Sequence, residues 1–538
     1  MAERPQCVLG ELLGPAPVSE GDGTFHVEVG MPRHTGTVPV PDGTGRRVIH
    51  RKSPRPGSVT SMTRRTKIVA TIGPASEDES TLAHMMAAGM DVARIGLAHG
   101  TVDEAIERYR RIRKVSEQEG RPVGILVDLP GPKVRAATFG EDPVRFRSES
   151  LVELVVGNER STSDVVEVDY EGLLDDVLVG DTLDVGDGRV VLDVVGKGGD
   201  RLKVEVVHGG VLSGCPGIHI PADRLRMATP TPADFLALDA FVELGVDMVA
   251  ISFVRSAHDI RRVGTEPHPR GPMLVAKIET RAAVQNLAGI IETAGAIMVA
   301  RGDLGSECSI EELPHLQKQI IQQCIAGGRP VITATQMLES MVSRPSPTRA
   351  EASDVANAVF DGSSALMLSG ETAIGTDPPN VVRTMDRIAQ RADEEFNYEL
   401  WAERLAELRM TDDTTHDAAS ITDAMTMAAW RAADSLGIST ILAISGTGFT
   451  VRSMARFRPQ ARIIGMSHNE RTVQQLTMSW GTTPVLVKDR GSNDDMVRQA
   501  VEVARDRDFV RSGEIVAVLA GSDNRSRSAN VLRLERVP

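Results

Sequence analysis

The chain has 538 residues, 41% of them hydrophobic and 25% charged, enough for several ordinary globular domains. Its 60 basic and 74 acidic residues leave a formal charge of −14, which argues against nucleic acid as a partner and suits plain solubility. Four cysteines without zinc-type spacing fit a reducing cytosol, and no apolar run is long enough for a signal-peptide core or a membrane span, so the expectation is a cytoplasmic protein with no membrane partner.

Gly, Pro, Thr and Arg dominate from Pro15 to Ser61 with no sustained period. Residues 1–61 therefore read as a disordered N-terminal extension. The alternative start is Met62, whose Met62-Thr63-Arg64-Arg65 runs straight into the first strand.

From Thr66 the pattern becomes regular. Short β-rich runs begin at Lys67, Val92, Val123, Met248, Met273, Ala296, Val331 and Ala365, and most precede an amphipathic helical segment such as Val102 to Gln118. Eight strands alternating with helices predict a parallel (β/α)8 barrel over 62–135 and 224–400, with a doubly wound open sheet as the competing architecture. The third unit is interrupted. Across 136–223 the helical period vanishes and Val-rich, partly alternating runs with Gly turns predict a small all-β insertion, a lid over the site. A polar linker, Met410 to His416, leads to a separate C-terminal α/β unit over 416–538, with strands near Thr440, Arg462, Thr483 and Ile515.

The chemistry concentrates between Lys277 and Gly305. Lys277 and Glu279 stand two apart at the end of the run Met273 to Ala276, so on a strand they point the same way. The next run, Ala296 to Ala300, ends just before Asp303. Parallel neighbours lie roughly 5 Å apart, so Glu279 and Asp303 are candidates to grip one hard cation beside Lys277. A magnesium ion next to a lysine is equipment for phosphate and enolate oxygens. The bland reading, an exposed strand face, fits poorly with the apolar flanks.

Five longer motifs flank this centre: TKIVATIGPAS (Thr66 to Ser76), ATQMLESM (Ala334 to Met341), RPSPTRAE (Arg344 to Glu351), SDVANAV (Ser353 to Val359) and MLSGETAIG (Met367 to Gly375). Together they resemble the pyruvate kinase family from about Thr66 to the C-terminus. The resemblance implies the barrel, the β insertion and the C-terminal α/β domain, and a homotetramer. It implies phosphoryl transfer from phosphoenolpyruvate to ADP, giving pyruvate and ATP in glycolysis, with Mg2+ (or Mn2+) held by Glu279 and Asp303. Lys277 and Arg94 would bind the transferring phosphoryl group, and Thr335 would serve protonation of the enolate. Backbone amides around Gly302 would receive the substrate carboxylate at a helix N-terminus. Arg135 and His99 would lie near the nucleotide phosphates.

Departures from the family pattern are equally specific. Where the family reads Arg-Leu-Asn-Phe-Ser-His-Gly, this chain has Arg94-Ile95-Gly96-Leu97-Ala98-His99-Gly100, so the Asn and Ser oxygens that ligate potassium are gone. Asp128 remains, Leu129 follows it in place of Thr, and Lys133 stands where potassium-dependent members carry Glu. An ammonium group can replace a bound monovalent cation, so K+ is expected not to be required. The insertion re-enters the barrel through Cys215-Pro216-Gly217-Ile218-His219 rather than the usual Lys-Lys-Gly-Val-Asn, losing two lysines, one of which reaches the nucleotide. Arg224 or Arg226 is a candidate to compensate. If nothing does, the alternatives are a magnesium enzyme doing enolate chemistry without ADP (a decarboxylase or lyase) or a catalytically weak regulatory paralogue.

In the C-terminal unit, Ser445, Thr447, Gly448 and Thr450 join a strand to a helix. Hydroxyls and glycine amides there can cradle phosphate, and in the family the corresponding loop binds a phosphorylated effector. A plain strand–helix turn would look the same. The late loop Gly521 to Ser528 is a candidate to add two arginines.

Overall fold

The computed structural model describes residues 64–538 except 187, 222–223, 399, 404, 406–417, 490–491 and 522–528. The expected extension over 1–61, the linker Met410 to His416 and nearly all of the loop Gly521 to Ser528 lie outside the described residues.

Eight strands form the centre: β1 (Lys67–Thr71), β2 (Val92–Gly96), β3 (Gly124–Leu129), β4 (Met248–Ile251), β5 (Met273–Ile278), β6 (Ala296–Ala300), β7 (Val331–Ala334) and β8 (Ala365–Leu368). They close as a parallel barrel in the order β1-β8-β7-β6-β5-β4-β3-β2, which bears out the barrel and rules out the open sheet. These strands are apolar on both faces because both are buried. One set, including Val69, Leu126, Met248, Val275, Met298, Ile332 and Met367, fills the barrel interior. The alternate set, including Ile68, Ile95, Ile125, Val249, Ile297 and Leu366, packs under the surrounding helices.

The helices begin where the sequence supplies caps. Thr101 and Glu104 form a capping box that opens Val102–Gln118, and Thr348 and Glu351 form another that opens Arg349–Phe360. The RPSPTRAE motif thus encodes a helix start.

The insertion is a seven-stranded sheet in the order Val134–Arg135, Gly217–His219, Thr182–Val185, Val190–Gly198, Arg201–His208, Leu151–Val156, Val165–Val168. It has its own core around Leu154, Leu183, Leu192 and Leu202. Its first and second strands, on either side of the excursion, pair antiparallel, Gly217 opposite Arg135, so the lid leaves and re-enters through one ladder.

The C-terminal unit is an open sheet of β9 (Thr440–Ile444), β10 (Arg462–Ser467), β11 (Thr482–Leu486), β12 (Ile515–Ala520) and β13 (Val531–Arg536), in the order β11-β10-β9-β12-β13. The edge strand β13, antiparallel to β12, is absent from the sequence expectation. Its charged Arg533, Glu535 and Arg536 mask a strand that needs cover on only one face, as protected edges do. This unit also seals the barrel's lower end. Met478 is fully buried within the barrel-interior cluster, and Gln475 Nε2 donates to the carbonyls of Asp247 (3.1 Å) and Gly271 (3.3 Å). Among the described residues no helix is long and apolar enough to cross a membrane.

Candidate active site

The pleat of the barrel builds the site. Interior residues Val69, Val92, Leu126, Ala250, Val275 and Met367 are each followed two positions later by Thr71, Arg94, Asp128, Ser252, Lys277 and Ser369. Side chains two apart share a face, so the layer above the apolar plug is polar and lies at the strands' C-terminal ends. Lys277, Glu279, Asp303, Arg94, Asp128 and Thr335 line one open cleft of about 780 Å³.

Lys277 Nζ is the hub. It donates to Ser252 Oγ at 2.7 Å and lies 2.8 Å from Glu279 Oε1 and 3.4 Å from Asp128 Oδ1. Burial works to lower the Lys277 ammonium, but Asp128, Glu279 and Asp303 outweigh it and hold it above its ordinary value. Lys277 is therefore a fixed positive charge, not a proton donor near neutrality. Burial works to raise the Asp128 carboxyl, yet Lys277 and Arg94 overcome that and keep it ionised. Arg94 fixes Asp128 from the other side, Nε to Oδ2 at 2.7 Å, and its Nη1 donates to Thr71 Oγ1 at 3.0 Å.

Glu279 behaves differently. Burial pushes its carboxyl up, Lys277 pulls against that, and the Asp303 charge adds to the rise. Oε2 accepts from the Phe253 amide at 2.7 Å, whereas Oε1 faces Lys277 without a hydrogen bond of good geometry. A buried carboxyl raised in part by a neighbouring carboxylate, with an under-used oxygen, fits a hard divalent cation. No group of three or more His, Cys, Asp or Glu side chains placed for a metal occurs among the described residues. Two carboxylates suffice for a magnesium ion, which fills its remaining positions with water and substrate oxygens.

Thr335 follows β7 in the left-handed region (φ 67°), as does Gln336 (φ 53°). For non-glycine residues such backbone is costly and is held by its surroundings. Here Arg301 holds it. Its guanidinium donates to the carbonyls of Ala334 (3.3 Å), Thr335 (2.6 Å) and Gln336 (3.3 Å) and pairs with Asp354 at 2.8 Å. Thr335 does not cap the element after it. Its Oγ1 accepts from the Gly302 amide at 2.9 Å, at the start of the preceding barrel helix, Arg301–Glu307. The Gly302 amide expected to meet a substrate carboxylate is thus engaged by Thr335, because the raised turn brings the hydroxyl over the helix end.

On the insertion side, Arg135 Nη1 donates to Cys215 O (3.2 Å) and Nη2 to Ala98 O (3.3 Å), so it staples the lid's return strand to the loop after β2. His99 on that loop is exposed, and its ring is held low by partial burial and by the charges of Arg135, Lys133 and Arg94. Lys133 lines the cleft beside Gly96, Ala98 and Asp128, and among the described residues no ion pair to it occurs. Asp128 is gripped by Arg94 and Lys277 instead.

Neither Arg224 nor Arg226 replaces the missing lysines. They pair within the insertion with Asp181 (3.4 Å) and Asp176 (3.1 Å) and do not line the cleft. Arg189 lines an adjoining pocket that shares Lys133, Asp303 and Thr335 with the cleft, as does His219, whose Nε2 lies 3.0 Å from Glu307 Oε1 on the barrel side.

Ser252, Phe253, Arg301 and Ser369 escape sequence reasoning. Ser369 Oγ is buried at the cleft without a hydrogen-bond partner, and its amide donates to Glu371 Oε2 at 2.6 Å. Only the period-two rule, run one step past each strand, would have found Ser252 and Ser369.

In the C-terminal unit the helix spans Phe449–Ala455, and Gly448 (φ 77°) turns the chain into it. Ser445 and Thr447 stand on the loop, whereas Thr450 is buried on the helix.

An enzyme with charged groups gathered at the C-terminal mouth of a parallel barrel is the class that fold and site define. Residues 63–382 match the family model of the pyruvate kinase barrel domain, and residues 423–535 match that of the pyruvate kinase alpha/beta domain. The chain is 37% identical over 477 residues to a pyruvate kinase of Bacillus licheniformis, covering 88% of this chain and 80% of that one. It is 36% identical over 478 residues to one from Clostridium acetobutylicum and 37% identical over 479 residues to one from Mycobacterium tuberculosis, in each case covering 88% of this chain and 99% of the relative. The chain belongs to the pyruvate kinase family and is a phosphotransferase.

Proposed function

We propose that this enzyme transfers the phosphoryl group of phosphoenolpyruvate to ADP, giving pyruvate and ATP, with a divalent cation and without potassium. The observation that carries the reading is the Lys277–Glu279–Asp303 cluster: a permanently charged lysine against two carboxylates, one of them with a free valence for a metal.

Glu279 and Asp303 would hold magnesium, which supplies charge neutralisation at phosphoryl and enolate oxygens when bound. Lys277 neutralises charge on the phosphoryl group in flight and on the enolate oxygen, with Ser252 and Asp128 fixing its ammonium. Arg94, locked by Asp128 and Thr71, presents its remaining donors to the same phosphoryl oxygens. Thr335 sits over the enolate methylene and guides a proton to it through water. On the nucleotide side, Arg189 takes the place of the lost lysines, with Arg135 keeping the lid in register. Lys133 supplies the positive charge that potassium provides elsewhere. A cytosolic homotetramer with a phosphorylated effector near Ser445 and Thr447 belongs to the same proposal.

The test is pyruvate formation from phosphoenolpyruvate and ADP, coupled to NADH oxidation, with magnesium in sodium and then potassium buffer. Equal, robust turnover in both supports the reading. Absence of ADP-dependent turnover, with pyruvate released from oxaloacetate instead, would replace it with enolate chemistry alone.

A further inference from the structure

The seam between the barrel and the C-terminal sheet holds a small cavity of about 20 Å³, far from the barrel mouth. Its walls include Arg329, Arg452, Arg456, Arg458, Ser479 and Trp480, and no carboxylate lines it. Arg452, Arg456 and Arg458 are only 3%, 6% and 2% exposed. Six buried polar atoms on these walls lack a hydrogen-bond partner: Arg452 Nε and Nη1, Arg456 Nε, Arg458 Nε, Ser479 Oγ and Trp480 Nε1. Each carries a hydrogen to donate. Buried polar groups are almost always paired, so this concentration calls for an acceptor.

Charge points the same way. Arg452 spends Nη2 on Thr447 O (3.0 Å) and His268 Nε2 (3.1 Å), both uncharged acceptors. Arg329 donates to the carbonyls of Ile291 and Glu292, and Arg458 to those of Gly362 and Ser363. Of these arginines, only Arg456 forms an ion pair among the described residues, with Asp423, while Asp393 acts on Arg458 and Glu292 on Arg329 from a distance. Burial pulls the Arg452 guanidinium down to about 9, with Arg329 adding to the fall, and Arg456 and Arg458 down to about 10. Guanidinium groups keep their charge in proteins, and leaving buried charge uncompensated is expensive.

We infer that this cavity binds one monatomic halide-sized anion, such as chloride, clamped between the barrel and the C-terminal unit. A volume of about 20 Å³ holds a guest of about the size of one water, which excludes a nucleotide. Through Arg452, whose Nη2 also holds Thr447 O, the anion would brace the loop Ser445 to Thr450 as well as the seam.

The full chain, kept in a buffer whose only anions are bulky and organic, is titrated with sodium chloride or bromide at constant sodium. The melting temperature should rise saturably by about 2–4 °C. Arg452→Met and the milder Ser479→Ala should lose the shift. Bromide-soaked crystals of the unaltered protein should show one anomalous peak between Arg452 and Trp480, a readout that does not depend on either variant folding. Melting that ignores the anions, a shift that survives in both variants, or a cavity holding water alone would overturn the inference.

Discussion

Arg301 Nη2 lies 2.6 Å from the carbonyl oxygen of Thr335, joining the first residue after β6 to the first residue after β7. The same guanidinium reaches Ala334, Gln336 and Asp354, so the left-handed turn that carries Thr335 is held from one side by a single planar fork. A lysine in that place would offer one nitrogen and could not span these acceptors. Arg301→Lys should therefore lower kcat by about 100-fold, as expected for misplacing a reacting group by an ångström or so. KM for phosphoenolpyruvate should move little. Unchanged kcat in steady-state assays would mean that the turn holds itself.

The Lys277–Glu279 pair was legible in the sequence because strand alternation is local: two positions, one face. Asp303 was legible because the strand before it ends so cleanly. The Arg301–Thr335 contact was not, since the two residues are 34 apart and nothing local tells a guanidinium to turn toward the next strand. Ser252 was hidden for a similar reason, its bond to Lys277 crossing from β4 to β5. The barrel and the insertion followed from hydrophobic period alone. By contrast, the compensating cation was sought at Arg224 and Arg226, which follow the motif in sequence. Arg189 reaches the pocket adjoining the cleft because the antiparallel sheet folds back, and sequence proximity carries no such information.

Glu279 gives a pH signature. Its carboxyl is raised in the folded, metal-free protein by burial and by Asp303. A raised acid favours folding in its protonated form, so its contribution is full below the ordinary carboxylate pKa and is lost as pH rises through the raised value. Chelator-treated protein should lose melting temperature at this site between about pH 5 and about pH 8, and magnesium should restore it most at the alkaline end. Glu279→Gln removes the titrating group, so the variant should show a shallower decline and little magnesium rescue. Its kcat should fall by at least about 100-fold. Parallel melting curves for the two proteins across that range would remove Glu279 from the metal site.

Lys133 predicts indifference to the monovalent cation. Gly96 and Ala98 offer no side-chain oxygen, and the lysine lines the cleft beside them. Rates in sodium and potassium should agree within about twofold. Lys133→Gln should lower kcat by about tenfold, and potassium should not recover it, because the ligands for the ion are missing. Recovery in potassium buffer would show that backbone carbonyls suffice to bind it.

Gly124 ties the lower end of the barrel to the C-terminal unit. A Cβ there would lie 2.5 Å from Thr477 Oγ1, 2.6 Å from Met248 Cε and 2.8 Å from the Gln474 carbonyl. Gly124→Ala should cost about 1–3 kcal/mol by overpacking, read as a lowered denaturation midpoint. The site at the other end of the barrel should keep its KM values. A midpoint equal to that of the parent protein would mean that the seam has slack.

Arg189 decides whether the lid still serves a nucleotide. Cys215 and Pro216 stand where the family has lysines, and Arg135 is occupied with the carbonyls of Cys215 and Ala98. Arg189 is exposed and lines the pocket adjoining the cleft from the lid, and among the described residues no ion pair to it occurs. A charge-assisted phosphate contact contributes about 1.5–3 kcal/mol, so Arg189→Ala should raise KM for ADP by roughly tenfold or more and leave KM for phosphoenolpyruvate unchanged. Arg226→Ala is the matched control, since Arg226 faces Asp176 on the outside of the insertion. Equal KM values for ADP in both variants would place the nucleotide phosphates against the barrel, with the lid contributing shape alone.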